Sequence, residues 1–250
     1  MAVLFARPQS LTEVPFRYCP GCHHGLAHRL VAEALDELNL REKAVGIASV
    51  GCSVYTNEFF NCDTIQAAHG RAPAVATAVK RARPECFVFT YQGDGDLASI
   101  GMAETIHAAA RGENISVIFI NNACYGMTGG QMAPTTLPGQ KTTTSPRGRE
   151  AAREGNPIDI MKILDALEGP AYLSRVVLTS PGKQAAAKKS ILRAFRTQMK
   201  GLGFSLVEIL SACPSNWRMT PVEALHYVDE VMAKYYPPGE VRVAKEVLEG

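Results

Sequence analysis

A chain of 250 residues with 46% hydrophobic and 20% charged residues has ample material for a core, which excludes a disordered chain. Its 26 Lys and Arg against 24 Asp and Glu leave +2, and only 7% of residues are aromatic. That balance argues against a nucleic-acid binder or a polybasic membrane patch, and no apolar run is long enough to span a membrane. The opening apolar stretch is broken by Arg7, Pro8 and Gln9, too short for a secretory leader, so a cytoplasmic protein is expected.

In chain order, residues 1–17 read as an N-terminal extension, 18–217 as the main domain and 218–250 as a C-terminal helix and tail. Cys19-Pro20-Gly21-Cys22 is a tight CxxC loop directly before a helix predicted over 24–38. Val-, Ile- and Phe-rich strands are expected at 44–50, 86–92, 115–121, 174–180 and 204–210. Helices are expected at 71–83, 97–111, 182–200 and 221–235. Strands apolar throughout and alternating with helices predict an α/β fold, a mainly parallel sheet covered on both faces. The polar, Gly-, Pro- and Thr-rich segment 126–157 is long enough to be functional or disordered. The stretch after Pro237 reads as an extension rather than a core element.

The sharpest local signal is the strand CFVFTYQ running into Gly93-Asp94-Gly95-Asp96, then a helix, then a strand ending in Asn121-Asn122. Asp94 and Asn122 thus lie just past the carboxyl ends of two parallel strands, the edge where open α/β sheets bind ligands. The glycines let a phosphate approach the backbone, and the following helix N-terminus favours an anion. A carboxylate and an amide carbonyl are hard oxygen ligands suited to Mg²⁺ holding diphosphate oxygens. The competing reading is a plain strand–helix turn with an ordinary loop Asn. No GxxxxGK[ST] occurs, and no GxGxxG follows the strand, which argues against nucleoside triphosphate and dinucleotide sites.

Seven cysteines are too few and too odd in number for a secreted disulfide scaffold. Cys19 and Cys22 precede the first helix, Cys52 follows a strand, and Cys213 lies just past the last predicted strand. Spacing alone leaves four options open: a [4Fe–4S] cluster, Zn²⁺, a CxxC redox pair, or unrelated core cysteines. Cys62, Cys86 and Cys124 have no such spacing, and Cys86 is expected to pack in its strand.

The Gly-Asp-Gly to Asn-Asn pattern resembles the thiamine diphosphate signature. Together with YCPGC, SVGCSVY, HGRAPAVATAVK, YQGDGD, NNACYGMTGGQMAPTT and SACPSNW, it resembles the β subunit of 2-oxoacid:ferredoxin oxidoreductases, over most of the chain from about Tyr18 to Trp217. The resemblance is strongest to the short β subunits acting on 2-oxoglutarate or branched-chain 2-oxoacids. It implies the thiamine diphosphate-binding α/β fold and CoA-dependent oxidative decarboxylation of a 2-oxoacid to an acyl-CoA, with electrons passed to ferredoxin. Asp94, Asn122 and the Cys124 carbonyl would bind Mg²⁺, and Cys19, Cys22, Cys52 and Cys213 a [4Fe–4S] cluster. Cys52, His69, Gly93, Asp94, Gly95, Asp96, Asn122, Met127, Thr128 and Gly129 are expected around thiamine diphosphate, with Thr128 offering a hydroxyl. His69 also reads as a capping or core histidine.

Lys141, Arg147 and Arg149 in the long loop are candidates to meet a distal carboxylate or CoA phosphates, or are simply solvated. They give a lean to 2-oxoglutarate, with a branched-chain 2-oxoacid or pyruvate as alternatives. His23, His24 and His28 on the first helix are expected as surface or packing residues. No Glu stands at a recognisable cofactor-activating position, so that group is expected from an α subunit, with small γ and δ subunits as further partners. The rivals are a zinc-stabilised nucleotide-binding scaffold and a non-redox thiamine decarboxylase or synthase, the latter with no use for the four cysteines.

Overall fold

The structure, a computed structural model, describes residues 6–248. Apolar strands assemble one sheet from β1 (Ala44–Ala48), β2 (Asp63–Gln66), β3 (Phe87–Gly93), β4 (Ser116–Asn121), β5 (Pro170–Val177), β6 (Phe204–Leu210) and β7 (Gly239–Val243). The order is β2-β1-β3-β4-β6-β5-β7, parallel except for β7, which runs antiparallel against β5. Every residue of β1, β4, β5 and β6 is buried, as a sheet covered on both faces requires.

The longer helices are α1 (His24–Glu37), α2 (Ala72–Ala82), α3 (Met102–Ala110), α4 (Pro181–Met199) and α5 (Pro221–Tyr227). On one face, Leu30, Val31 and Leu35 of α1 and Ile191 and Phe195 of α4 join the core formed with Phe89, Tyr91 and Ile118. On the other, small residues of α2 and α3, including Ala72, Ala76 and Ala108, pack with Val88 and Val117. Local chemistry sets the helix starts. Ser180 caps α4 by accepting from the Lys183 N–H, and Thr220 with Glu223 forms a reciprocal capping box on α5, each with Pro at the first helical position.

The architecture is the expected one, with differences in detail. The strand expected at 174–180 begins instead at Pro170 and ends at Val177, because Ser180 and Pro181 are committed to opening α4. The stretch after Pro237, expected as an extension, carries β7 and closes that edge of the sheet. The helix expected over 97–111 is interrupted by a π-helical turn at Asp96–Ile100 before α3 begins. A second such turn, Val228–Met232, follows α5. The segment 126–157 is pinned by isolated bridges between Tyr125 and Gln131 and between Pro138 and Arg149.

After β2 the chain crosses β1 to begin β3 on the other side. This reversal opens a crevice at the carboxyl ends of β1, β3 and β4. No described helix is long and apolar enough to cross a membrane.

Candidate cofactor and metal site

The crevice is a cavity of about 110 Å³ at the ends of β1, β3 and β4. Of the residues expected around a cofactor, all except Gly129 line it. A larger groove of about 780 Å³ runs between α4 and the β5–β7 edge. Its Lys183 pairs with Asp229 at 2.8 Å and its Arg193 with Glu240, and it contains neither a thiol nor a Gly-Asp loop.

Asp94 directly follows β3 and is only 2% exposed. Its Oδ2 accepts from Thr135 Oγ1 at 2.6 Å and from the Cys124 N–H at 3.1 Å, and its Oδ1 from the Gly95 N–H at 2.9 Å. Among the described residues it has no ion pair, and burial pushes its carboxyl up to about 7 despite these donors. Gly95 is needed here because a Cβ would lie 2.3 Å from Tyr125 Cε1.

Asn121 and Asn122 have separate tasks. The Asn121 amide donates to Glu208 Oε1 at 2.7 Å, and Glu208 is held by Arg175 at 2.7 Å, within the buried interior. Ala123 then turns through φ 56°, a left-handed conformation costly for alanine. This turn aims the Cys124 N–H at Asn122 Oδ1, 3.2 Å away, as well as at Asp94. The two side-chain oxygens thus lie side by side around one N–H, hard donors of the kind a divalent cation takes. Trp217 Nε1 holds the Asn122 carbonyl at 3.1 Å.

Asp96 sits deeper. Its carboxylate accepts from Gly70 N–H at 2.7 Å and Gln92 Nε2 at 2.6 Å, and lies 2.6 Å from His69 Nδ1. That network fixes the His69 ring at the cavity wall. Met127 and Thr128 form the outer rim, and Thr128 Oγ1 donates to Gln131 Oε1 at 2.6 Å.

The thiols of Cys19, Cys22, Cys52 and Cys213 lie near enough to act on one another electrostatically. Burial pushes the Cys22 thiol up to about 12, with Cys213, Cys52 and Cys19 adding to the shift. Cys52 is pushed up to about 11 by burial first, then by Cys213 and Cys19. Cys213 moves the other way: hydrogen bonds from the Cys124 thiol and from Asn216 hold it below the usual thiol range. The CxxC turn is closed by the Cys22 N–H donating to the Cys19 carbonyl at 3.0 Å, and Tyr18 Oη donates to the Cys52 carbonyl at 3.1 Å. Among the described residues, no three or more His, Cys, Asp or Glu side chains converge tightly enough to form a finished metal site. The donor chemistry fits a soft metal centre, four thiols beside the oxygen-lined cavity.

The histidines of α1 lie inside the fold. His24 Nδ1 is 2.9 Å from Tyr91 Oη, and His28 stacks on Phe60 with ring centroids 4.7 Å apart. In the long loop, Lys141 and Arg147 are exposed. Arg149 is buried, and its guanidinium donates to the carbonyls of Pro134 and Asn156 at 2.8 Å, Thr136 at 2.7 Å and Gly155 at 2.9 Å. It clamps the loop and has little capacity left for a ligand. Thr135 at Asp94, Asn216 at Cys213 and the Cys124 side chain were not among the residues expected from sequence. Thr135 reaches Asp94 from 41 residues away, whereas Asn216 is only three residues beyond Cys213.

The model of the thiamine pyrophosphate enzyme C-terminal TPP binding domain matches residues 46–209. The ketoisovalerate oxidoreductase subunit VorA of Methanothermobacter thermautotrophicus is 47% identical, over 94% of this chain and 49% of its own. This chain belongs to the 2-oxoacid:ferredoxin oxidoreductase subunits. Within that family, the 2-oxoglutarate synthase subunit KorB of Archaeoglobus fulgidus is 35% identical, over 94% of this chain and 87% of its own. A solved 2-oxoglutarate:ferredoxin oxidoreductase from Magnetococcus marinus, with 2-oxoglutarate, coenzyme A and succinyl-CoA bound, superimposes with a TM-score of 0.81 at 26% identity. That match covers 97% of this chain and 86% of the other. The oxidoreductase subunit described here spans about half the length of the VorA chains and most of the KorB chain. Its sheet is the TPP-binding fold of that family.

Proposed function

We propose that this chain is the thiamine diphosphate-binding subunit of a CoA-dependent 2-oxoacid:ferredoxin oxidoreductase, completed by an α subunit and, in larger assemblies, by small γ and δ subunits. The observation that carries the reading is the meeting of Asp94 and Asn122 oxygens at Cys124, in the crevice that Cys52 also lines. Asp94, Asn122 and the Cys124 carbonyl would hold Mg²⁺, and the ionised Asp94 would gain the cation its burial otherwise denies it. His69, Gly93, Gly95, Asp96, Met127, Thr128 and Gly129 would surround thiamine diphosphate, with Asp96 acting through His69. Cys19, Cys22, Cys52 and Cys213 would bind one [4Fe–4S] cluster.

When bound, thiamine diphosphate supplies a nucleophilic carbon and an electron sink for decarboxylation, and the cluster supplies one-electron transfer to ferredoxin. The task of this chain is to hold both groups in one crevice, neutralise the diphosphate and keep water from the reacting carbon. Small-molecule sites commonly enclose about 300–1,000 Å³. The 110 Å³ cavity is a fraction of that, which supports walls contributed by a second chain. Met127 at 44% exposure on its rim and Ile100 at 49% beside Gly70 are apolar surface that such a chain would cover.

For the substrate, the structure removes Arg149 from the candidates for a distal carboxylate, since its donors are engaged by the loop. That weakens the ground for 2-oxoglutarate. The higher identity is to ketoisovalerate oxidoreductase subunits, 47% against 35% for a 2-oxoglutarate synthase subunit. The favoured substrate is therefore a branched-chain 2-oxoacid. The test is a panel of branched-chain 2-oxoacids, 2-oxoglutarate and pyruvate, assayed anaerobically with CoA and a viologen or ferredoxin acceptor on the co-purified complex. Highest kcat/KM for 2-oxoisovalerate is expected, and a preference for 2-oxoglutarate would reverse the substrate assignment.

A further inference from the structure

The segment Ser211–Trp217 carries one residue beyond Cys213 whose side chain reaches both halves of the site. Asn216 Nδ2 lies 2.8 Å from the Gly126 carbonyl and 3.2 Å from Cys213 Sγ. A carbonyl oxygen only accepts, so the nitrogen rather than the oxygen of the amide must face this pair, and its two N–H groups are directed one to each. Gly126 belongs to the loop that leads from Asn122 to the cavity rim at Met127 and Thr128. It also lies where the two sites cross: a Cβ there would stand 3.3 Å from both Cys52 Sγ and Asn122 Nδ2. The position is half-buried and held from behind, since a Cβ on Gly130 would come within 3.0 Å of Asn216 Cβ.

From this geometry we infer that Asn216 is a positioning residue that ties the cofactor loop to the Cys213 sulfur and raises the reduction potential of the cluster bound there. The inference rests on the function proposed above. An N–H pointing at a ligand sulfur places positive dipole charge beside the cluster. The reduced cluster carries one more negative charge than the oxidised one, so the donor stabilises the reduced form more and moves the potential upward. The second N–H, on the Gly126 carbonyl, fixes the distance between that sulfur and the loop around thiamine diphosphate. Electrons leaving the cofactor then meet an acceptor set in both place and potential by the same amide.

The experiment uses the anaerobically purified complex with its partner subunit, in wild-type, Asn216→Ala and Asn216→Asp forms. Iron and sulfide are counted first, and a wild-type complex without a cluster would refute the proposed function itself. The cluster is then titrated electrochemically and followed by its EPR signal. Asn216→Ala should lower the midpoint potential, and Asn216→Asp should lower it further by replacing the donors with negative charge at nearly constant volume. If only one variant keeps its cluster, a lowered midpoint in that variant supports the inference. An unchanged or raised midpoint in a variant with full iron content overturns it. Loss of iron from both variants also overturns it, because the residue would then be needed for retaining the cluster rather than for tuning it.

Discussion

Burial without a basic neighbour makes Asp94 the most strained charge in the crevice, and this fixes what its removal should do. Its raised pKa means that the folded apo chain takes up a proton which the unfolded chain, near 3.8, has already released. Apo stability therefore falls as pH rises from about 4 through about 7, and the ionised form waits on a cation. Asp94→Asn should leave the apo chain at least as stable at pH 8 by thermal denaturation. It should also weaken Mg²⁺-dependent thiamine diphosphate binding by more than the about 10–100-fold seen when a group merely supporting a metal ligand is removed. Calorimetric titration reads this, and unchanged affinity would contradict the metal assignment. Arg149 is the opposite case, a loop residue doing structural work. Arg149→Lys should cost about 2–3 kcal/mol in urea denaturation by leaving several buried carbonyls short of donors. The KM for the preferred 2-oxoacid should change little in the fraction that remains folded. These roles differ in how readable they were. Asp94 and Asn122 are announced by motif spacing. The engagement of Arg149, the Thr135 donor to Asp94 and the Asn216 contact with the Gly126 carbonyl depend on loops folding back over many residues, which no local pattern encodes.

At the scale of elements, α1 carries a pH dependence that its histidines set. His28 is fully buried between Phe60 and Tyr91, and burial pushes its imidazole down to about 4, as it does for His23. Between pH 6.5 and about 4 the unfolded chain binds these protons and the folded chain does not. Their contribution to stability is thus complete above pH 6.5 and is lost as pH falls toward 4. The urea midpoint should drop between pH 7 and pH 5, with each such histidine contributing at most about 1.4 kcal/mol per pH unit. His28→Phe should flatten that slope. The sequence had suggested surface or packing residues, and the interior stacking on Phe60 decides for packing. Strands show the same division. The core strands β3, β4 and β6 were legible within a residue or so because they are apolar throughout. Strand β2 (DTIQ) is mostly exposed and β7 (GEVRV) is half polar, so neither shows a buried-strand pattern. Yet β7 is anchored: Tyr172 Oη donates to Glu240 at 2.9 Å and Arg242 pairs with Asp165 at 3.0 Å. Ending the chain after Pro237 should lower the melting temperature, at about 1 kcal/mol for each hydrogen bond lost. It should also promote aggregation through the bared apolar edge of β5, read by light scattering. A truncated chain as stable and monodisperse as the full one would make β7 dispensable.

At the scale of the whole molecule, one sheet edge gathers a hard oxygen pair and four thiols from segments spread between Cys19 and Cys213. The sheet reversal at β1 and β3 explains why Cys52, Asp94 and Asn122 share a wall, while the CxxC loop arrives at the head of α1 and Cys213 at the end of β6. The small cavity beside exposed Met127 supports the proposal of a site completed by a second chain, and on that proposal the chain assayed without its partner should turn over no 2-oxoacid. The most direct measurement is the iron, acid-labile sulfide, zinc, thiamine diphosphate and Mg²⁺ content of the anaerobically purified complex, with its absorbance near 400 nm. About four iron and four sulfide per copy of this chain are expected, with one thiamine diphosphate and one Mg²⁺. A colourless, zinc-loaded preparation lacking thiamine diphosphate would contradict this expectation.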